Sequence, residues 1–378
     1  MNDRTMENIK KEKKHSLPKG WEIKKLGEVC EMYQPKTIST KEMVDDGQYP
    51  VFGANGIIGK YDKYNHEEPQ LLITCRGATC GSVNISEPKS WINGNAMVVR
   101  PKDHSIDLKF LEYLFRGGID LSKTITGAAQ PQITRQSLIP IEISYPKSLP
   151  EQQRIVSILD EAFAAIAKAK ANAEQNLKNT KELFESYLQG VFDPSTRSGQ
   201  EKGDGWEEKR FDEVCVLQRG FDLPTHSRFE GEYPLVSSNG ITDRINEWKV
   251  KAPGVVTGRS GTIGNVHFIV EDFWPLNTAL YIKDFHGNDE RFIYYFLTAF
   301  DLSKYSSGAG VPTLNRNNVH SVKVRIPKSK TQQQTIVRQL DTLRIETQKL
   351  ESIYQKKILL LEELKKSILQ KAFSGELN

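Results

Sequence analysis

"TCRGATCGSV" fills residues 74–83, and "TGRSGTIGNV" fills residues 257–266. Each is a glycine-rich turn carrying one arginine between apolar flanks. Self-similarity at a fixed offset is the mark of a repeated unit, and further blocks recur at about the same 183-residue offset. "GWEIKKLGEVC" (20–30) meets "GWEEKRFDEVC" (205–215), and "YPVFGANGI" (49–57) meets "YPLVSSNGI" (233–241). "DLSKTITGAAQPQITR" (120–135) meets "DLSKYSSGAGVPTLNR" (301–316), and "QQRIVSILD" (152–160) meets "QQTIVRQLD" (333–341). "ELFESYLQGVF" (182–192) meets "ELKKSILQKAF" (363–373). The blocks keep one order, so the whole chain is a duplication.

Each copy has two parts. Residues 21–147 and 206–328 are mixed: short apolar runs such as "LLITC" (71–75), "AMVVR" (96–100), "GVVTG" (254–258) and "VHFIV" (266–270) predict strands. "DLKFLEYLFRG" (107–117) and "ERFIYYFLTAF" (290–300) have helical spacing. A long helix follows in each copy, over 148–192 and 329–375. Ser148 with Glu151 and Ser329 with Gln332 fit capping boxes. Ile155, Leu159, Ala162, Ile166, Ala169 and Ala173 step by four and three, as do Ile336, Leu340, Leu343, Thr347, Leu350 and Tyr354. That stepping is a coiled-coil seam, polar at Asn176 and Thr180 and resuming at Leu183 and Tyr187. A helix lying alone on a domain core is the competing reading of the same stripe. Residues 1–20 form a charged tail and 193–205 a linker. The expected fold class is α+β, internally duplicated, with two mixed α/β domains separated by two long helices that form an antiparallel coiled coil. One helix leads out and the other leads back, so the termini should be close.

With 378 residues, 38% hydrophobic and 26% charged, the composition is that of a globular protein. No apolar run is long enough for a membrane span. Four cysteines are too few for a disulfide scaffold, which favours buried reduced thiols and a cytoplasmic setting. The net charge of +4 permits a polyanionic partner without demanding one. Two related, unequal domains held apart in inverted orientation suit duplex DNA, whose half-sites lie about 34–36 Å apart per helical turn. Because most loop residues differ between the copies, the two half-sites should differ in sequence.

The phrase "LPKGWEIKKLGEVC", the paired glycine–arginine turns, "TGAAQPQIT" running into "SYPKSLPEQQRIVSILD", and the repetition of all of it resemble the specificity subunit of type I restriction-modification systems. The resemblance covers about 20–375. It implies two target-recognition domains joined by central and C-terminal spacer helices, and recognition of a bipartite asymmetric DNA sequence. It also implies double-stranded DNA, two adenine-N6 methyltransferase subunits and two restriction/translocase subunits as partners. S-adenosylmethionine, ATP and magnesium are then expected on those partners and no cofactor on this chain.

Signatures of catalysis are missing. The nearest approach to a phosphate-binding loop, "GANGIIGKY" (53–61), has the wrong spacing and lacks the Ser or Thr after Lys60. No dinucleotide fingerprint, zinc-protease motif or carboxylate cluster occurs. The chain reads as non-catalytic and metal-free.

Arg76 and Arg259 occupy the repeated turn, where a guanidinium can grip a phosphate or the O6/N7 edge of guanine; the same turns also read as plain hairpins. Lys123, Lys304, Arg135 and Arg316 suit phosphates, which position a reader. Gln130 and Gln132 in one copy, and Asn315 and Asn317 in the other, are amides of the kind that pair with adenine. A duplicated coiled-coil scaffold binding protein or sugar is the alternative, with these segments as ordinary polar loops. Asn55-Gly56 and Asn239-Gly240 read as turns rather than contacts, and Trp21, Trp91, Trp206 and Trp274 as core anchors.

Overall fold

The computed structural model describes residues 17–127, 130–193, 205–308 and 312–377. Most of the expected tail and linker therefore lies outside the described residues. Two compact units emerge. One holds the chain up to Ala173 together with everything from Lys356 onward, and the other holds Glu174–Gln355. Each long helix thus gives its first part to one unit and its second part to the other.

The first unit contains β1 (Trp21–Lys25), β2 (Cys30–Tyr33), β3 (Tyr49–Gly53), β4 (Gly56–Tyr61), β5 (Leu71–Thr74), β6 (Val83–Ile85), β7 (Trp91–Ile92), β8 (Ala96–Pro101) and β9 (Glu142–Pro146). They form sheets in the orders β2-β8-β5-β6, β4-β3-β7 and β1-β9. The second unit contains β10 (Trp206–Arg210), β11 (Val216–Arg219), β12 (Glu230–Ser237), β13 (Gly240–Ile245), β14 (Gly254–Gly258), β15 (Val266–Ile269), β16 (Trp274–Pro275), β17 (Ala279–Asp284), β18 (Ser306–Ser307), β19 (Thr313–Leu314) and β20 (Lys323–Pro327). Its sheets run β11-β17-β14-β15, β13-β12-β16 and β10-β20, with a small β18-β19 ribbon. The three larger sheets repeat strand for strand, as the duplicated sequence requires.

The apolar strands are covered on both faces, which is why they read as continuous rather than alternating runs. Leu71, Ile73, Met97 and Val99 face a large core shared with Phe110 and Leu111 of the helix Leu108–Tyr113. Leu72, Ala96 and Val98 face a smaller cluster with Phe52 and Ile92. The expected helix over 290–300 forms as Glu290–Ala299. Its counterpart is regular only to Tyr113 and widens into a π-helical turn over Leu114–Gly118. Cys30, Cys75 and Cys215 are buried, and burial pushes the Cys30 thiol up to about 12 and Cys75 up to about 11.

The central helix (Leu149–Phe192) and the C-terminal helix (Lys330–Ser374) are anchored alike. Gln152 is fully buried; its amide donates to the carbonyls of Ser105 (2.9 Å) and Pro146 (2.8 Å) and its Oε1 accepts from the Asp107 N–H at 2.8 Å. Gln333 repeats this, donating to Asn288 (2.7 Å) and Pro327 (3.2 Å) and accepting from the Asp289 N–H at 2.9 Å. Tyr113 donates to Asp160, and Tyr295 donates to Asp341 in the same way. The Ser329 hydroxyl caps the C-terminal helix by accepting from the Gln332 N–H at 3.2 Å. At the other start the expected box is not made as drawn: Glu151 forms a two-pronged pair with Arg154 instead.

Within the first unit the two helix segments run antiparallel. Arg154 reaches the Leu377 carbonyl while Lys170, further along, pairs with Glu362 at 2.5 Å. The seam differs from the expected one in assignment. Ile155 and Leu159 are buried in the domain core, together with Leu369, Ala372 and Phe373 of the returning helix. Ala162 is half-buried, and Ile166 and Ala173 continue the contact as buried residues. In the second unit Leu340 and Thr347 are buried and Ile336 and Leu343 half-buried, whereas Leu350 is 40% exposed. Leu183 and Tyr187 are likewise exposed; Thr180 and Leu188 are the buried positions there, because Phe184, Leu188 and Phe192 turn toward the second domain's core. Gly375 ends the C-terminal helix at positive φ, where an added Cβ would lie 2.0 Å from Pro18. The two ends of the described chain therefore meet.

Candidate nucleic-acid interface

Three loops that the sequence leaves separate converge in the first unit. Arg76 pairs through its backbone with Gln132, the Gly77 N–H donates to the Pro131 carbonyl at 3.1 Å, and the Ile133 N–H donates to Cys75 at 2.9 Å. The glycine–arginine turn is thereby stitched to the 123–137 loop. The third loop is Asn55-Gly56: the Asn55 Oδ1 accepts from the hydroxyls of Thr79 (2.7 Å) and Thr74 (3.2 Å). The turn is more than local geometry: the second unit repeats the contact, with Thr262 donating to the Asn239 Oδ1 at 2.7 Å, and the recurrence of Asn-Gly at 55–56 and 239–240 is the sequence signal for it.

In this first cluster Arg76, Gln130, Gln132 and Arg135 are all exposed. Arg135 opens a short helical turn (Arg135–Leu138) capped by Thr134, whose side chain accepts from the Ser137 N–H. Lys123 lies apart, pairing loosely with Asp120 at 3.6 Å. The Ser122 hydroxyl and N–H hold the Asp120 carboxyl below its ordinary value.

The second unit brings the same segments together in a different register. The Leu314 N–H donates to the Arg259 carbonyl at 2.7 Å, and Ser260 pairs with Thr313. Thr74 stands opposite Ala96, yet Gly258, not Thr257, stands opposite the matching Ala279. The counterpart of Arg76 in space is therefore Ser260, and that of Arg259 is the buried Cys75. This corrects the expectation that both arginines occupy one position. Successive side chains in an extended segment point to opposite sides, so Arg259 turns inward. It is half-buried, and its Nη1 donates to the Asn277 carbonyl at 3.3 Å. A glycine permits the shift: a Cβ on Gly258 would sit 2.0 Å from the Thr262 carbonyl oxygen.

The other expected contacts in this unit are mostly engaged. Arg316 is half-buried and donates to the Gln218 side chain and the Leu217 carbonyl. Asn315 caps the helix Arg316–His320, accepting from the Asn317 N–H at 3.0 Å. Lys304 pairs with Asp301 at 3.5 Å, as Lys123 does with Asp120. Asn317 is exposed. His320 is held below the usual imidazole range by burial, and its Nε2 accepts from the Leu217 N–H at 3.1 Å. Trp91 is half-buried and Trp274 buried, in keeping with anchoring roles.

One sequence pattern matches this chain twice, over residues 18–178 and 203–359: the type I restriction modification DNA specificity domain. The chain belongs to that family. As a specificity subunit it is 22% identical to the type I restriction enzyme EcoDI specificity subunit of Escherichia coli, covering 96% of this chain and 89% of that one. It is 24% identical to the MjaIX specificity subunit of Methanocaldococcus jannaschii, covering 96% and 94%. Among solved structures, a chain from work on assembly and conformational transition of the type I R-M system superposes with a TM-score of 0.78 at 18% identity, covering 96% of this subunit and all of that chain. The HsdS subunit of Thermoanaerobacter tengcongensis gives 0.65 at 19% identity, covering 97% and 100%. These structures share the subunit's fold. The pattern's two matches each take in one mixed domain and part of a long helix.

Proposed function

We propose that this specificity subunit reads a bipartite, asymmetric double-stranded DNA site, one half through each target-recognition domain. The observation that carries the reading is the pair of convergent loop clusters. The strand frame beneath them is the same, while the side chains on them differ: Arg76 and Gln132 stand exposed in one, with Gln130 and Arg135 beside them, whereas half-buried Ser260 and Thr313 take the places of Arg76 and Gln132 in the other, with Asn315 and Asn317 exposed nearby in the chain. A common scaffold with unlike reading groups is what two unlike half-sites call for. Lys123, Lys304 and Arg135 would meet phosphates and set position; the amides and Arg76 would meet base edges. Arg259 and Arg316 would act chiefly by holding their loops.

The subunit would place two adenine-N6 methyltransferase subunits and two restriction/translocase subunits on that site, in the cytoplasm. S-adenosylmethionine, ATP and magnesium would be bound by those partners, and the chemistry would be theirs. Apolar side chains at the surface of the paired helices support docking of partners. Leu183, Tyr187 and Leu343 line a groove of about 470 Å³ in one unit, and Leu360 and Leu364 stand half-exposed in the other. Among the described residues no helix is long and apolar enough to cross a membrane.

Salt titration tests the reading against a scaffold that binds protein or sugar. Phosphate-dependent DNA binding should weaken by orders of magnitude between about 50 and 200 mM salt. Binding indifferent to salt would reject it. A host methylome should show N6-methyladenine within a two-part motif of unequal halves.

A further inference from the structure

The corner of the second domain beside Arg259 carries a carboxylate where the first domain has a hydroxyl. Tyr33 faces Val98 across β2 and β8, and Gln218 faces Tyr281 across β11 and β17, which puts Thr37 and Asp222 at equivalent points just beyond the strands. In the first domain the Gly94 N–H donates to Thr37 Oγ1 at 3.1 Å. In the second, the side chain of Asn277, at the place of Gly94, donates to Asp222 Oδ1. Arg219 Nη2 lies 3.0 and 3.2 Å from the two Asp222 oxygens. The same Asn277 gives its carbonyl to Arg259, so this corner adjoins the loop cluster directly. The Asp222 side chain is nevertheless 63% exposed.

We infer that Asp222 reads a cytosine in the half-site bound by the second domain. This rests on the DNA-reading function proposed above. A carboxylate has about four acceptor sites and no donor. Arg219 and Asn277 occupy part of that capacity, fix the group's direction and offset its charge. What remains can accept a hydrogen bond from an exposed amino group. The major groove offers two such donors, cytosine N4 and adenine N6. Adenine sets its own N7 acceptor beside N6, which repels a carboxylate, whereas cytosine carries only a C–H beside N4 on its own major-groove edge. Asp222 therefore selects cytosine. At the equivalent point Thr37, which can donate or accept, imposes no such choice on the other half-site.

The test uses the full chain assembled with its methyltransferase subunits, carrying Asp222→Asn or Asp222→Thr, and maps N6-methyladenine across a library randomised in both half-sites. The native subunit should require cytosine at one position of one half. Asp222→Asn can still accept from Arg219 and Asn277, so the frame stays. Preference for cytosine at that position should fall about tenfold, with adenine now tolerated, while the other half and the gap are unchanged. Asp222→Thr should lose the same preference. An unchanged cytosine requirement in both variants, a native motif without cytosine in either half, or an equal loss of methylation at every position would overturn the inference; the last would make Asp222 a brace for Asn277 only. Native methylation lacking any sequence pattern would instead bring down the DNA-reading function itself.

Discussion

Lys365 holds its ammonium 5.1 Å from the centre of the Phe163 ring. In the other unit Arg344 lies 5.6 Å from the centre of Phe184. By the repeat, Phe163 corresponds to Arg344 and Lys365 to Phe184, so ring and cation have changed helices while the contact persists. Both rings sit on the central helix and both cations on the C-terminal one. A double-mutant cycle of Phe163→Ala and Lys365→Met should give a coupling of about 0.5–1 kcal/mol in chemical denaturation. The exchange variant, Phe163→Arg with Lys365→Phe, should be more stable than Phe163→Arg alone, which would set two cations against each other. Equal stabilities would deny the pair any part in helix matching.

Gln152 and Gln333 should be the costliest single polar replacements in the helices. Leucine at either site leaves three partners inside the protein without a hydrogen bond. At about 1 kcal/mol or more for each, the loss should be roughly 3 kcal/mol, read as a lower denaturant midpoint. Gln153→Leu, one residue along and exposed, should change stability little.

Arg76 and Arg259 should separate in their effects despite aligning in sequence. Arg76→Ala should lower affinity for cognate DNA by about tenfold, by fluorescence anisotropy at fixed salt, with melting unchanged. Arg259→Ala should shift melting, by about 1 kcal/mol for the lost hydrogen bond, and affect affinity less. Identical behaviour of the two variants would contradict the register shift.

Acidification should weaken the fold through His66 and His320. Burial holds both below the ordinary imidazole value, with the Arg100 charge adding at His66. At His320 the Asp212 carboxylate opposes the shift. The unfolded chain takes up protons as pH falls through about 6.5, before the folded chain does. The stability these residues contribute is present above that pH and is lost below it. The melting temperature should therefore be lower at pH 5.5 than at pH 7.5. His320→Gln, whose amide oxygen can accept from Leu217 without titrating, should flatten the slope. A slope unchanged in that variant would remove His320 from the account.

Much of the architecture was legible because it rests on patterns that survive duplication. The strands over 71–74, 96–101, 254–258 and 266–269 and both long helices lie where apolar runs and periodicity put them. The seam was legible in period but not in partner. Ile155 and Leu159 carry the same spacing whether they meet a helix or a domain core, and only three-dimensional packing settles it. Convergence of the Asn55, Arg76 and Gln132 loops was not legible, since nothing local says which turns meet. Asp222 was missed for a related reason: its partner Asn277, which also holds Arg259, lies far along the chain. The mismatch between Arg76 and Arg259 was the least legible, because identical letters in aligned blocks stand for different places once one turn is a residue shorter than the other.

The turn after β14 is one residue shorter than the turn after β5: Gly258 to Thr262 spans four steps where Thr74 to Thr79 spans five, between the same sheet pairing and the same asparagine contact. A single insertion or deletion there changes which groups the turn presents, with the sheet beneath untouched. New preferences could arise from altered loop length alone, without replacing any amino acid at the reading surface.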